Sequence, residues 1–338
     1  MSVWTFLIIT CLFNDKECLY FVLFFENSNL SSVAIKVEGL VKIYGTIRAV
    51  DNISFEIKKG EIFALLGPNG AGKTTTLEIL QSLRKVTKGS VHVLGYDVSD
   101  NQNVRKLKKE FGVLPQDFNA IDKLTVKENL SVIAKMYDKH VDLKQLILTL
   151  DLEDKTNSKF EDLSGGLKQR LGIAGALVND PKMVFLDEPT TGLDPRARRD
   201  VWRVIEGLKK EGKTVFLTTH YMDEAEVLAD RVAIIHKGKI VAIGETNALL
   251  EKSGGGRTVI LEDVPEYISK EIKDRFPEAK IEGTTVRIQI SKLKDVNNVI
   301  SYLTEKGVEQ SLQVTRPSLE NVFLGLTGAH LTEEGELV

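Results

Sequence analysis

Beyond Cys18 this 338-residue sequence has no cysteine; Cys11 and Cys18 are the only two. The body of the chain therefore uses neither disulfides nor thiolate chemistry, and a reducing compartment suits it. An excess of one charge is missing as well, since 45 basic residues meet 48 acidic ones for a net charge of -3. That balance argues against a surface for polyanions. Basic clusters such as Lys106, Lys108 and Lys109, or Arg196, Arg198 and Arg199, alternate with acids and apolar residues. They read as solvated helix faces, so no nucleic-acid partner is expected. Internal repeats, low-complexity tracts and heptad runs are absent too, which excludes solenoids and long coiled coils.

No apolar stretch reaches the ~20 residues that a membrane-spanning helix needs. Residues 1–25 come nearest, with Phe6, Phe13, Phe21, Phe24, Phe25 and Trp4, but Asp15, Lys16 and Glu17 divide them into two short runs. With no basic residue before Lys16, the segment makes a poor secretory signal. It reads either as a peripheral membrane anchor or as a mis-assigned translation start, the protein then beginning near Leu30 or Val33. The second reading is preferred.

What is present is an ordinary globular composition, 42% hydrophobic and 28% charged, in a chain long enough for roughly two domains. Residues 33–59 alternate apolar and polar positions and predict short antiparallel strands. "EIFALLG", 61–67, is a buried strand leading into a glycine loop, with a helix from about Lys73 to Leu83. Residues 120–160 carry a helical pattern, with Val126, Leu130, Ile133, Ala134 and Tyr137 on one face. Two apolar strands follow, "MVFLDE" at 183–188 and "TVFLTTH" at 214–220, separated by a helix. Apolar strands alternating with helices predict a parallel sheet covered on both faces. "SGGG", 253–256, is the best linker, and the pattern beyond it matches a split βαββαβ unit. The expected organisation is an apolar segment 1–32, a main unit 33–250 with a helical subdomain about 118–165, an accessory α+β unit 257–328, and a tail 329–338 without fixed structure.

The chemistry begins at "GPNGAGKTT": Gly67, Pro68, Asn69, Gly70, Ala71, Gly72, Lys73, Thr74 and Thr75. The motif sits between a predicted strand and a predicted helix. Its glycines let backbone N–H groups converge on phosphate oxygens, and the helix N-terminus adds its positive end. Lys73 is expected to bridge the β- and γ-phosphates, and the Thr74 hydroxyl to help hold Mg2+. "MVFLDE" delivers Asp187 to a strand end, placed to hold Mg2+ through water, with Glu188 beside it as the general base. Read without that context, two adjacent acids could merely cap the next helix. His220 ends the neighbouring strand and points at the same sheet edge; Gln116, ending "FGVLPQ", could reach the metal or the water. "LSGGLKQR", Leu163 to Arg170, is harder to place. Ser164, Gly165 and Gly166 offer donors to an anion, yet the P-loop already holds the phosphates; a buried N-cap with close-packed glycines is the alternative.

As a set, these motifs resemble the nucleotide-binding subunit of an ATP-binding-cassette (ABC) transporter, over residues 34–250. Tyr44 matches the aromatic that stacks on adenine, "GPNGAGKTT" the Walker A loop, and "LPQ" with Gln116 the Q-loop. "LSGGLKQR" matches the signature, "VFLDEP" the Walker B strand, "GLDP" with Asp194 the D-loop, and His220 the switch histidine. Leu167 departs from the signature's frequent glutamine. "RPSLENVFLGLTG" and "HYMDEAEVLADRVAIIHKGKIVAIG" resemble cassette ATPases of drug, lipid or polysaccharide exporters of the ABC-2 type.

The resemblance implies an α/β P-loop NTPase fold with an N-terminal antiparallel β-subdomain, a helical subdomain and a ferredoxin-like C-terminal domain. It implies an ATPase using ATP and Mg2+, peripheral to the cytoplasmic face of the membrane. Two subunits, as a homodimer or a heterodimer, would clamp each ATP between one P-loop and the other's Leu163–Gly166, with Asp194 crossing the same interface. ATP hydrolysis would then drive export through a separate integral membrane permease. The alternative is a cassette ATPase of translation or chromosome maintenance, disfavoured by the single cassette and the missing coiled coil.

Overall fold

The computed structural model describes residues 7–13, 16–22, 32–252, 257–290, 293–305, 312–315, 318–329, 332 and 334–337. The SGGG linker lies outside them. The two apolar N-terminal runs form an antiparallel hairpin, β1 (Leu7–Phe13) and β2 (Lys16–Val22), with Cys11 opposite Cys18. The alternating stretch that follows gives β3 (Val33–Tyr44) and β4 (Ile47–Lys58). β5 (Ile62–Leu66) enters the glycine loop, and α1 (Lys73–Leu80) leaves it. This helix ends three residues short of Leu83 because Ser82 takes a left-handed φ of 58°. β6 (Lys88–Val93) and β7 (Tyr96–Asp97) join β3 and β4 in one antiparallel sheet, ordered β4-β3-β6-β7.

Next come α2 (Asn101–Leu107), β8 (Phe111–Leu114), α3 (Val126–Ala134) and α4 (Leu143–Thr149). α3 opens on a reciprocal Thr125–Glu128 capping box, the usual chemistry for satisfying first-turn N–H groups. α5 (Gly165–Leu177) returns to the sheet, followed by β9 (Met183–Asp187), α6 (Pro195–Lys210), β10 (Thr214–Thr219) and α7 (Met222–Leu228). β11 (Arg231–His236), β12 (Lys239–Glu245) and α8 (Thr246–Lys252) complete this part.

The main sheet has the order β12-β11-β5-β10-β9-β8, all parallel except β12. Its central strands are apolar throughout because both faces are covered. The two-residue period then splits each strand between two cores. Ile62, Ala64, Leu66, Val184, Leu186, Val215 and Leu217 face the first core, with α5, α6 and the helical subdomain. Phe63, Leu65, Met183, Phe185 and Phe216 face the second, with α1 and the antiparallel sheet, where Phe55, Phe63 and Phe216 stack at 5.5–6.5 Å between centroids.

The C-terminal elements are β13 (Arg257–Leu261), α9 (Glu266–Arg275), β14 (Lys280–Glu282), β15 (Thr285–Ile290), α10 (Leu293–Glu305), β16 (Leu312–Thr315) and α11 (Leu319–Thr327). Their antiparallel sheet, β14-β15-β13-β16, is the ferredoxin-like order with its own apolar cluster. α11 stands apart: Leu319, Val322 and Phe323 belong to the first core of the main unit. Among the described residues, no helix is long and apolar enough to cross a membrane.

Candidate active site

Parallel register builds the site. Leu66 lies beside Thr219, Asp187 beside Thr218, and Leu114 beside Leu186, so β5, β10, β9 and β8 all end at one sheet edge. The next residues in chain order are Gly67, His220, Glu188 and the segment leading to Gln116. Strand carboxyl ends are where open α/β sheets place their ligands.

The glycine loop fits so tightly that side chains are excluded. A Cβ on Gly67 would sit 2.2 Å from the Ile235 carbonyl oxygen, and one on Gly72, at φ +108°, would sit 2.5 Å from that of Ala49. Asn69, Gly70, Gly72, Lys73, Thr74, Thr75, Gln116 and Glu188 line one cavity of about 370 Å3. Within it the Lys73 ammonium is buried and held by the carbonyls of Gly67 at 2.9 Å and Pro68 at 3.2 Å, and by Glu188 Oε1 at 3.1 Å. Burial pushes its pKa below the usual lysine range, opposed by the charge of Glu188.

Glu188 is the hub. Its backbone is left-handed, φ 47°, an uncommon conformation for a residue with a side chain. His220 Nδ1 lies 3.0 Å from its Oε2; Thr191 Oγ1 donates to the same oxygen at 3.1 Å and Gln116 Nε2 at 3.4 Å. Burial alone would raise the Glu188 pKa, but the His220 hydrogen bond and the Lys73 charge outweigh it and hold it at about 2. The carboxyl is therefore ionised at neutral pH, and the proton in the His220 bond sits on Nδ1. Asp187 differs: burial pushes its pKa up, against a hydrogen bond donated by the Thr218 hydroxyl.

The other expected residues lie elsewhere. Tyr44 closes β3 outside the cavity, with Lys42 and Arg84 over its ring at 4.9 and 5.6 Å. Ser164 occupies the N-cap position of α5, but its hydroxyl makes no capping bond and it is exposed together with Gly165. Gly166 is close-packed, its Cβ position 2.9 Å from Ala197 Cβ. Leu163 is buried, and Leu167 packs against the first core. The close-packed reading of "LSGG" thus fits Gly166, while the Ser164 side chain makes no capping bond. Asp194 is exposed and caps α6, its Oδ1 accepting from the N–H groups of Arg196 and Ala197 at 2.9 and 3.0 Å.

The tail is not without structure throughout. The Gly335 carbonyl accepts from the Asn69 N–H, and the Glu334 carbonyl from Asn69 Nδ2, each at 2.8 Å, so this segment rests on the P-loop rim beside His220. Sequence reading also missed Thr218, which donates to Asp187 and accepts from the Glu188 N–H at 3.1 Å, and Thr191. The polar run "TTH" closing an apolar strand was the available signal.

The donor set suits Mg2+: Thr74, Gln116 and Asp187 all offer oxygen, the ligand type of hard divalent ions. The free acceptor capacity of Asp187, buried beside Glu188, is chemistry that a cation resolves.

Comparison with known proteins assigns the family. The ABC transporter family profile matches residues 50–191. The chain is 37% identical over 312 residues to the Nod factor export ATP-binding protein I of Rhizobium leguminosarum bv. viciae, covering 90% of this chain and 98% of that one. It is 35% identical over 312 residues to a linearmycin resistance ATP-binding protein of Bacillus subtilis, covering 88% and 100%. A solved dimeric bacterial ABC transporter cassette matches at 30% identity with a TM-score of 0.57, covering 63% of this chain and 98% of that chain. The chain therefore belongs to the ATP-binding proteins of ABC transporters and is an ATP-hydrolysing subunit of an exporter.

Proposed function

We propose that one subunit binds ATP at Gly67–Thr75 and that a second copy or a related chain completes the site with its Ser164, Gly165 and Gly166. The observation that carries this reading is the uncapped, exposed Ser164 hydroxyl at the start of α5, none of whose signature residues lines the P-loop cavity. Helix N-termini favour anions, and this one has no acid in its first turn to compete. Asp194, one oxygen of which caps its own helix, reaches the partner with the other.

Lys73 neutralises the phosphates, and Glu188 accepts the proton of the attacking water while His220 orients the carboxylate. A carboxylate at about 2 is a weak base. When Lys73 turns from Glu188 to the phosphates, one cause of that low value goes and the base strengthens. Thr74, Gln116 and Asp187 would hold Mg2+, which supplies charge neutralisation on the phosphate oxygens. Tyr44 stacks on the adenine.

Residues 33–250 form the ATPase unit and 257–328 an accessory unit, anchored by α11. A membrane permease docks in the mostly apolar groove lined by Leu83, Phe111, Phe118, Ile133 and Tyr137, next to the Gln116 loop, on the cytoplasmic face of the membrane. Closure then depends on the γ-phosphate, and its hydrolysis releases the pair.

The test is turnover against dilution, with Ser164→Arg alongside. Turnover per subunit is expected to fall as pairs dissociate, and Ser164→Arg to bind ATP without hydrolysing it. Constant turnover down to single subunits, or normal turnover in the variant, refutes the two-subunit site.

A further inference from the structure

Glu224 is completely buried, yet no step of the hydrolysis uses it. It lies in α7, four residues after His220. Its Oε1 accepts from the Thr190 hydroxyl at 2.7 Å and from Trp202 Nε1 at 3.1 Å. The Thr219 hydroxyl, which accepts from the Tyr221 N–H at 2.9 Å, lies against the same carboxyl, whose buried Oε2 accepts no hydrogen bond from the described residues. Among the described residues no lysine, arginine or histidine pairs with it. Burial pushes its pKa up, and its polar neighbours Thr219, Thr190 and Trp202 only partly oppose this. A buried acid without a cation is costly, so a purely structural core would favour an apolar residue here.

The three neighbours explain its presence, because each belongs to a different part of the site. Thr190 follows Glu188 and Pro189, and its carbonyl accepts from the Leu193 N–H at 3.2 Å, so it fixes where the Asp194 loop begins. Thr219 precedes His220, and its carbonyl accepts from the N–H of Gly67, the first residue of the phosphate loop, at 3.2 Å. Trp202 stands on α6, the helix that Asp194 caps.

We infer that Glu224 is a positioning residue that locks the Asp194 loop, the His220 strand end and α6 into one arrangement, so that the face offered to the partner subunit and the His220–Glu188 bond are set together. The inference rests on the two-subunit reading above. It assigns Glu224 to catalysis by a closed pair and leaves nucleotide binding by a lone subunit, which Lys73 and the glycine loop perform, untouched.

Glu224→Ala removes the acceptor that Thr190 and Trp202 share and the carboxyl beside Thr219. Its turnover at saturating ATP is expected to fall at least tenfold, while ATP affinity of the single subunit, measured by calorimetry, stays within about twofold of wild type. Glu224→Gln keeps an acceptor for Thr190 and Trp202 and can donate to Thr219, so turnover should return to within about threefold. If Glu224→Ala does not fold, Thr190→Val, which removes one tie at constant shape, takes its place with the same expected split. Wild-type turnover in the folded variant, affinity lost in step with turnover, or a glutamine no better than alanine each overturns the inference. Ser164→Arg measured in parallel separates the two ideas: normal turnover there refutes the two-subunit site, whatever Glu224 does.

Discussion

Replacing Glu188 with glutamine is the sharpest single perturbation of this site. The side chain keeps its size and its left-handed backbone, so the change is electrical: glutamine stands in for the protonated acid. In the folded subunit the carboxyl is held at about 2 against an ordinary 4.5, burial raising it and His220 and Lys73 lowering it further. A shift of that size corresponds to a stabilisation on the order of 3 kcal/mol at neutral pH. Because the folded value lies below the unfolded one, that stability is present above pH 4.5 and is lost as pH falls toward 2. Nucleotide-free Glu188→Gln should therefore be less stable than wild type by roughly 3 kcal/mol near pH 7, and the gap should close below pH 4.5. With ATP the same change removes the proposed proton acceptor, which should cost roughly 100- to 10,000-fold in turnover, and ATP-bound pairs should accumulate. Urea unfolding at several pH values measures the first effect; single-turnover hydrolysis and gel filtration measure the second. A stability gap that does not change between pH 7 and pH 3, or near-normal hydrolysis, would refute the reasoning.

Gly67→Ala drives a Cβ to 2.2 Å from the Ile235 carbonyl, so β5 or β11 must shift; a stability loss of about 1–3 kcal/mol and loss of ATP binding are expected, checked by thermal unfolding and calorimetry. Deleting residues 330–338 removes the two carbonyls that occupy Asn69. Such bonds are worth about 1 kcal/mol each at most in the open, so ATP affinity should rise by no more than roughly thirtyfold; an unchanged affinity would show that the tail does not compete.

Most of the fold was legible because burial on two faces and burial on one face leave different periods. β5, β9 and β10 are apolar without interruption, β3 and β4 alternate, and α3 carries its face at helical spacing. The glycine loop was legible for a related reason: contacts of 2.2 and 2.5 Å forbid any side chain at Gly67 and Gly72. Less legible was α11. Its amphipathic pattern shows that it packs, but only tertiary contact, with Glu226 accepting from the Leu319 N–H, shows that it packs on the main unit. The tail, polar and free of periodicity, gave no signal for its seat on Asn69.

The amino-acid order alone pointed to the residues that line the phosphate-loop cavity, because a glycine loop followed by lysine, and a carboxylate closing an apolar strand, are patterns that local backbone geometry and charge impose. It also determined that the sheet is parallel and buried. Only the tertiary structure decided that Glu188 lies between Lys73 and His220, that the Ser164 hydroxyl is left unspent, and that Glu224 ties Thr190 to Trp202. Those facts depend on strand register and helix placement, which are set by packing between segments far apart in the chain.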